Sequence, residues 1–193
     1  MARPKKFDER QVLLAAMLVF WDRGYEGTSI QDLEQATGLR RTSLYNAFGN
    51  KRALFGRVLA CYKEAVMSAL FAAMDSAADI REGLARLLNA ALDVNYDDQY
   101  PGGCLVVLSV LESGQHDAAS RAVLEQSMQE LRQGVQQRLA RARKRGEVPA
   151  GLDTAAIATT ITSVLAGMMV LGKAQFPRAA LKKTVNQVLA LLG

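Results

Sequence analysis

Apolar positions return at three- and four-residue intervals through most of the chain, and no stretch of useful length alternates apolar with polar as a half-buried strand would. The pattern predicts an all-α fold, divided by capping residues and glycines. Phe7, Asp8 and Gln11 mark a helix start, with Asp8 capping the first turn, Gln11 reaching back and Phe7 stapling onto Val12. The first helix then covers about residues 8–23, and Gly24 and Gly27 in GYEG close it, since glycine accepts the positive φ of a helix exit. GYEG also has the GXXG spacing of a KH domain, but that module needs strands and the pattern supplies none. Thr28 with Gln31 repeats the capping-box spacing and predicts a short helix over 28–36. Gly38 breaks the chain, RRTSLYNAF (40–48) allows two helical turns, and Asn50 caps a long helix reaching about Met74. Short helix, glycine turn, short helix is the spacing of a helix-turn-helix.

Downstream, Ile80, Leu84, Leu87, Leu88 and Leu92 give one face of a helix over 80–96, closed by DDQYPGG. Further helices are predicted over about 104–113, 118–145, 153–173 and 177–192, with Asp153 as an N-cap and Pro177 in the first turn of the last. The chain divides into an N-terminal three-helix unit, 1–52, and a larger helical unit, 53–193.

Charge changes the picture in one place. The net charge is only +5, yet residues 35–63 contain no Asp or Glu and hold Arg40, Arg41, Lys51, Arg52, Arg57 and Lys63. A locally cationic segment bordered by hydroxyls and a tyrosine suits a polyanion better than a merely solvated face. Two isolated cysteines, Cys61 and Cys104, exclude a disulfide scaffold or a CxxC pair and fit a reducing cytoplasm. The first ten residues turn acidic at Asp8 and Glu9 before any apolar run, unlike a signal peptide. Residues 12–21 are too few to span a bilayer; residues 154–172 are uncharged and long enough, but five Ser and Thr residues favour a helix buried in a core and against a second subunit over a membrane span.

In a helix-turn-helix the second short helix enters the major groove and exposes the side chains near its start to base edges. Ile30, Leu33, Leu39 and Leu44 have the spacing to pack inward onto Val12, Ala16 and Phe20, which turns Arg40, Arg41, Thr42, Ser43 and Asn46 outward. Arginine binds guanine bidentately, asparagine does the same for adenine, and a threonine methyl touches thymine. Tyr45, Lys51 and the hydroxyl and N–H of Thr28 suit phosphates. Arg3, Lys5 and Lys6 form a possible minor-groove arm or a solubilising tail.

The segment GTSIQDLEQATGLRRTSLYNAFGNKRALF, residues 27–55, resembles the DNA-binding signature of the TetR family of bacterial transcriptional regulators, through Thr28, Gly38, Leu44–Tyr45, Phe48, Lys51, Leu54 and Phe55. The resemblance covers roughly the first sixty residues. It implies an all-helical homodimer, with a helix-turn-helix domain on a larger ligand-binding and dimerisation domain, that represses transcription at a palindromic operator until a small molecule binds. Two positions depart from that signature: Glu34 stands where a small residue is usual, and Arg40 where a serine or asparagine often caps the recognition helix. An acid near a polyanion and a poor N-cap are both physical liabilities, which a pairing of Glu34 with Arg40 or Arg41 would soften.

In the larger unit, PGGCLVVLSVLESGQH sets Cys104 at a helix start, where the dipole lowers a thiol's pKa; the alternative is a small buried residue. This stretch resembles NemR-like members of the family, some of which sense electrophiles through a cysteine. Tyr62, Met67, Phe71, Tyr96, Tyr100, Leu108, Glu112 and His116 are candidate lining for an effector cavity beside Cys104. One histidine, and no phosphate loop, GxSxG or HExxH, point away from catalysis, a cofactor or a metal. The basic end of the long helix, RLARARKRG, suits a helix C-terminus or a second nucleic-acid contact. The competing function is a small-molecule carrier or enzyme that does not bind DNA.

Overall fold

The computed structural model describes residues 7–193, so the possible arm of Arg3, Lys5 and Lys6 lies outside the described residues. Among them are nine α-helices and no strand: α1 (Glu9–Gly27), α2 (Ile30–Thr37), α3 (Arg41–Phe48), α4 (Lys51–Asp75), α5 (Ile80–Val94), α6 (Leu105–Leu111), α7 (Ala118–Lys144), α8 (Thr154–Lys173) and α9 (Arg178–Ala190). The all-α expectation holds.

The caps explain the boundaries. Asp8 accepts from the N–H groups of Arg10 and Gln11, Asn50 from Ala53, Asp79 from Glu82, Asp117 from Ser120, and Asp153 from Ala155 and Ala156. Phe7 lies near Phe48, with ring centroids 6.3 Å apart. Gly24 takes φ 72°, as expected of a helix exit, but the chain then makes one more turn to Gly27. That extra turn moves the next cap by one residue. Ser29, not Thr28, forms the capping box: its hydroxyl accepts from the N–H of Asp32, whose carboxylate accepts from the N–H of Ser29.

Two apolar clusters organise the chain. The first joins Val12, Ala16, Phe20 and Trp21 of α1 to Leu33, Leu44 and Phe48, with Ile30 and Leu39 packed against them, as the spacing predicted. It continues into Leu54, Phe55, Val58, Leu59 and Tyr62 of α4 and reaches Leu105, Val106 and Leu124. The second is built from α5, α7, α8 and α9, with Leu70 and Met74 from the far half of α4. Helix α4 is therefore common to both, and residue 52 lies in its first turn. At 1.5 Å per residue its 25 residues span roughly 37 Å.

Helix α8 is long and apolar enough to cross a membrane by length and composition. Here it packs one face onto α7, α5 and α9 through Ala158, Ile161, Leu165, Met168 and Met169, and leaves Val170 and Leu171 partly exposed.

Candidate nucleic-acid interface

Helix α3 is short, and three features set its pose. Gly38, at φ 69° and ψ 6°, donates its N–H to the Glu34 carbonyl at 2.9 Å and turns the chain in the left-handed region that glycine enters freely. The Thr37 hydroxyl donates to the Leu33 carbonyl and accepts from the N–H of Leu39. Leu44 and Phe48 are buried and seat α3 on α1 and α4.

With Leu44 inward, Arg40, Arg41, Thr42 and Asn46 are exposed and Ser43 and Tyr45 half-buried. Among the described residues neither Arg40 nor Arg41 has a carboxylate partner for its guanidinium; that of Arg41 lies 5.1 Å from the centre of the Tyr45 ring. Glu34 does not pair with either arginine side chain. Its carboxylate instead accepts the backbone N–H of Arg41 at 2.6 Å. Lys51 is half-buried, its ammonium 4.5 Å from the centre of the Tyr25 ring, and Arg57 pairs with Glu9.

Thr28 must be corrected. It is 1% exposed, and its hydroxyl donates to the Gly24 carbonyl at 2.6 Å, so its side chain is not offered to a phosphate. The turn through Gly24 is what rotates it inward. Ser29 takes the cap position that the sequence reading missed, although Ser-x-x-Asp carries the same signal. The box with Ser29 pulls the Asp32 carboxyl down to about 2, through hydrogen bonds from the Ser29 hydroxyl and N–H, with Arg23 adding to it.

The expected effector lining is spread over both clusters, with Tyr62, Cys104 and Leu108 at the first and Met67, Phe71, Tyr96 and again Cys104 at the second. Tyr62 is buried edge-on against Trp21, 5.1 Å between ring centres. His116 is buried and stacked on Phe55, its Nε2 3.1 Å from the Ser109 carbonyl oxygen. Leu108 packs at the edge of the first cluster, while Met67 and Phe71 lie against the second, with the Arg138 guanidinium 4.2 Å from the Phe71 ring centre. Tyr96 donates its hydroxyl to the Phe176 carbonyl, and Tyr100 covers Trp21 at 5.6 Å. Burial pushes the Cys104 thiol up, only partly offset by the Tyr62 hydroxyl and the N–H groups of Val107 and Val106. Burial likewise raises the Tyr62 phenol well above its usual range. Tyr100 borders an open cleft of about 500 Å³, between Leu18, Asp22, Arg23 and Ala36 on one side and Asp98 to Pro101 on the other.

Three sets of contacts tie α1 to α6, to the loop before it and to α8. Glu112 accepts the backbone N–H of Tyr25 at 3.0 Å, close enough under Gly24 that a Cβ there would meet its carboxylate at 2.3 Å. Trp21 donates its indole N–H to the Gly102 carbonyl at 3.0 Å, and Lys173 donates to the Pro101 carbonyl at 2.8 Å and lies 3.7 Å from Asp22. The basic end of α7 sits at the other end of α4: Arg138 pairs with Asp75, Arg145 with Glu147, and Arg143 donates to the Leu152 carbonyl.

Comparison with known proteins agrees with this architecture. Residues 12–58 match the model of bacterial regulatory proteins of the tetR family, and residues 81–188 that of the tetracyclin repressor-like C-terminal domain. The chain is 32% identical over 176 residues to the HTH-type transcriptional repressor ComR of Escherichia coli (strain K12), spanning 87% of this chain and 80% of ComR. It superposes on a cysteine-substituted form of the TetR-family regulator CifR in complex with 26-base-pair operator DNA, at a TM-score of 0.90 and 36% identity over 100% of both chains. The reduced form of E. coli NemR shares the fold, at a TM-score of 0.83 over 93% of each chain and 17% identity. With both parts of the family architecture matched, a helix-turn-helix unit and its helical companion, this chain belongs to the TetR family of bacterial transcriptional regulators.

Proposed function

We propose that the protein is a cytoplasmic, homodimeric repressor that binds a palindromic operator through α3 and leaves it when a small molecule binds the larger helical unit. The observation that carries this reading is the exposed, acid-free face of α3, where Arg40, Arg41, Thr42 and Asn46 stand clear of the core with Ser43 at its edge. Arg41 and Asn46 have the donor and acceptor geometry for guanine and adenine edges. Lys51 and Tyr45 take phosphates. CifR's complex with operator DNA and the name of ComR as a repressor support the same assignment.

Dimerisation is supported by exposed apolar side chains on and beside α8 and α9, where Val170, Leu171, Phe176 and Leu191 remain 37–48% exposed. Two copies would present two α3 helices to half-sites one helical turn, about 34–36 Å, or a multiple apart. Release requires only a coupling of about 1–3 kcal/mol between effector and operator. The Glu112–Tyr25, Trp21–Gly102 and Lys173–Asp22 contacts are the connections through which movement of the larger unit would reach α1.

The test is selection of bound sequences from random duplex DNA, repeated with a panel of metabolites. Enrichment of an inverted repeat, lost with one class of compound, is the expected result. Failure to enrich any sequence would favour a carrier or enzyme.

A further inference from the structure

We propose that Glu34 is a positioning residue for DNA recognition: it caps α3 from outside that helix and so sets the pose in which Arg41 and Thr42 meet base edges. The inference rests on the reading of α3 as the base-reading helix.

An α-helix leaves its first N–H groups without intrahelical partners, and a side chain at the N-cap usually satisfies one of them. Arg40 occupies the N-cap of α3 and provides no side-chain cap hydrogen bond. The Arg40 carbonyl accepts from Ser43 at 2.8 Å and Leu44 at 3.0 Å, while the N–H of Arg41, the first helical residue, goes to Glu34 Oε1 at 2.6 Å. The acceptor of that cap lies seven residues upstream, in α2. Glu34 also closes its own helix, since its carbonyl accepts the N–H of Gly38 at 2.9 Å. One residue therefore holds both ends of the turn between the two short helices. A carboxylate at a helix N-terminus is favoured by the dipole, and its bond to an N–H is charge-assisted. The opposing effect is repulsion of the DNA backbone, so positioning and charge predict opposite outcomes when Glu34 is changed.

The experiment measures binding to a selected operator duplex and to a scrambled duplex for wild type, Glu34→Gln, Glu34→Ala, Arg40→Ser and Glu34→Ala/Arg40→Ser. Glutamine keeps an acceptor oxygen without the charge; serine at 40 is an N-cap in its own right. Positioning predicts that Glu34→Gln retains or tightens operator binding, whereas Glu34→Ala loses about five- to tenfold on the operator and nothing on the scrambled duplex. It also predicts that on the Arg40→Ser background, where a serine caps the Thr42 or Ser43 N–H, Glu34→Ala has a smaller effect than on wild type. Hydrogen exchange at the Arg41 amide of the DNA-free protein should accelerate in Glu34→Ala and stay near wild type in Glu34→Gln. Equal tightening by Glu34→Ala and Glu34→Gln on both duplexes, or unchanged exchange in Glu34→Ala, overturns the proposal. A wild-type chain that does not discriminate the duplexes overturns the recognition reading instead, with the exchange measurement still deciding whether the cap exists.

Discussion

Two segments carry most of the clustered positive charge, α3 with the start of α4 and the last turns of α7, and their cations end in different company. At the end of α7, Arg138 is held by Asp75 and lies over the Phe71 ring, Arg145 is held by Glu147, and Arg143 donates to the Leu152 carbonyl. On α3, Arg40 and Arg41 are exposed, and the nearby acid, Glu34, is occupied with a backbone N–H. A cation already facing a carboxylate gains less from a phosphate, because the ion pair must first be broken. The two segments also lie near opposite ends of α4, roughly 37 Å apart along its axis. Arg40 and Arg41 are thus the cations left clear for a polyanion, whereas at the start of α4 Arg52 and Arg57 face Asp117 and Glu9.

The largest test of that contrast removes the scaffold of one segment. Leu44 is 1% exposed beneath α3, so Leu44→Ala should destabilise the chain by about 2–5 kcal/mol in denaturant unfolding and abolish operator binding. A loss well under 1 kcal/mol would mean that α3 is not seated as described. Next, Arg41→Ala and Asn46→Ala should each weaken operator binding by about 1–3 kcal/mol and relax base preference, whereas Arg141→Ala at the other segment should change it by less than about 0.5 kcal/mol. Equal losses from Arg41→Ala and Arg141→Ala would erase the distinction.

Lys51→Ala sharpens the boundary of the α3 site. It should weaken operator and random duplexes alike and reduce the salt slope by about 0.9 for the lost phosphate contact. An unchanged slope would leave Lys51 as a partner of the Tyr25 ring alone. The smallest effect concerns pH. The Asp32 carboxyl is pulled down to about 2, so the stability it lends α2 is complete above the ordinary carboxylate value of about 4 and is lost as pH falls through about 2. Asp32→Asn should remove that acid transition from α2 amide exchange; a transition that persists would assign it to another carboxylate.

The helices were legible because their signals are local. Asp8, Asn50 and Asp153 each cap the helix their position announced, and the inward Ile30, Leu33, Leu39 and Leu44 follow from 3.6-residue periodicity alone. The error at Thr28 arose where two hydroxyl residues adjoin and the extra turn after Gly24 decides between them, which spacing does not encode. The effector lining was not legible for a different reason. Tyr62 and His116 look alike in sequence whether they wall a cavity or fill a core, and it is Trp21 and Phe55, distant in the chain, that make them core. Glu34 was legible as a charge near the DNA-binding segment, but its backbone partner across the turn was not.

The measurement that bears most directly on the central claim is the affinity of wild type and Arg41→Ala for a selected operator and a scrambled duplex across a salt series. The account predicts a wild-type preference for the operator of at least about 10³-fold at physiological salt, and a gap narrowed by Arg41→Ala at every salt concentration. Equal wild-type affinity for both duplexes throughout the series would contradict it.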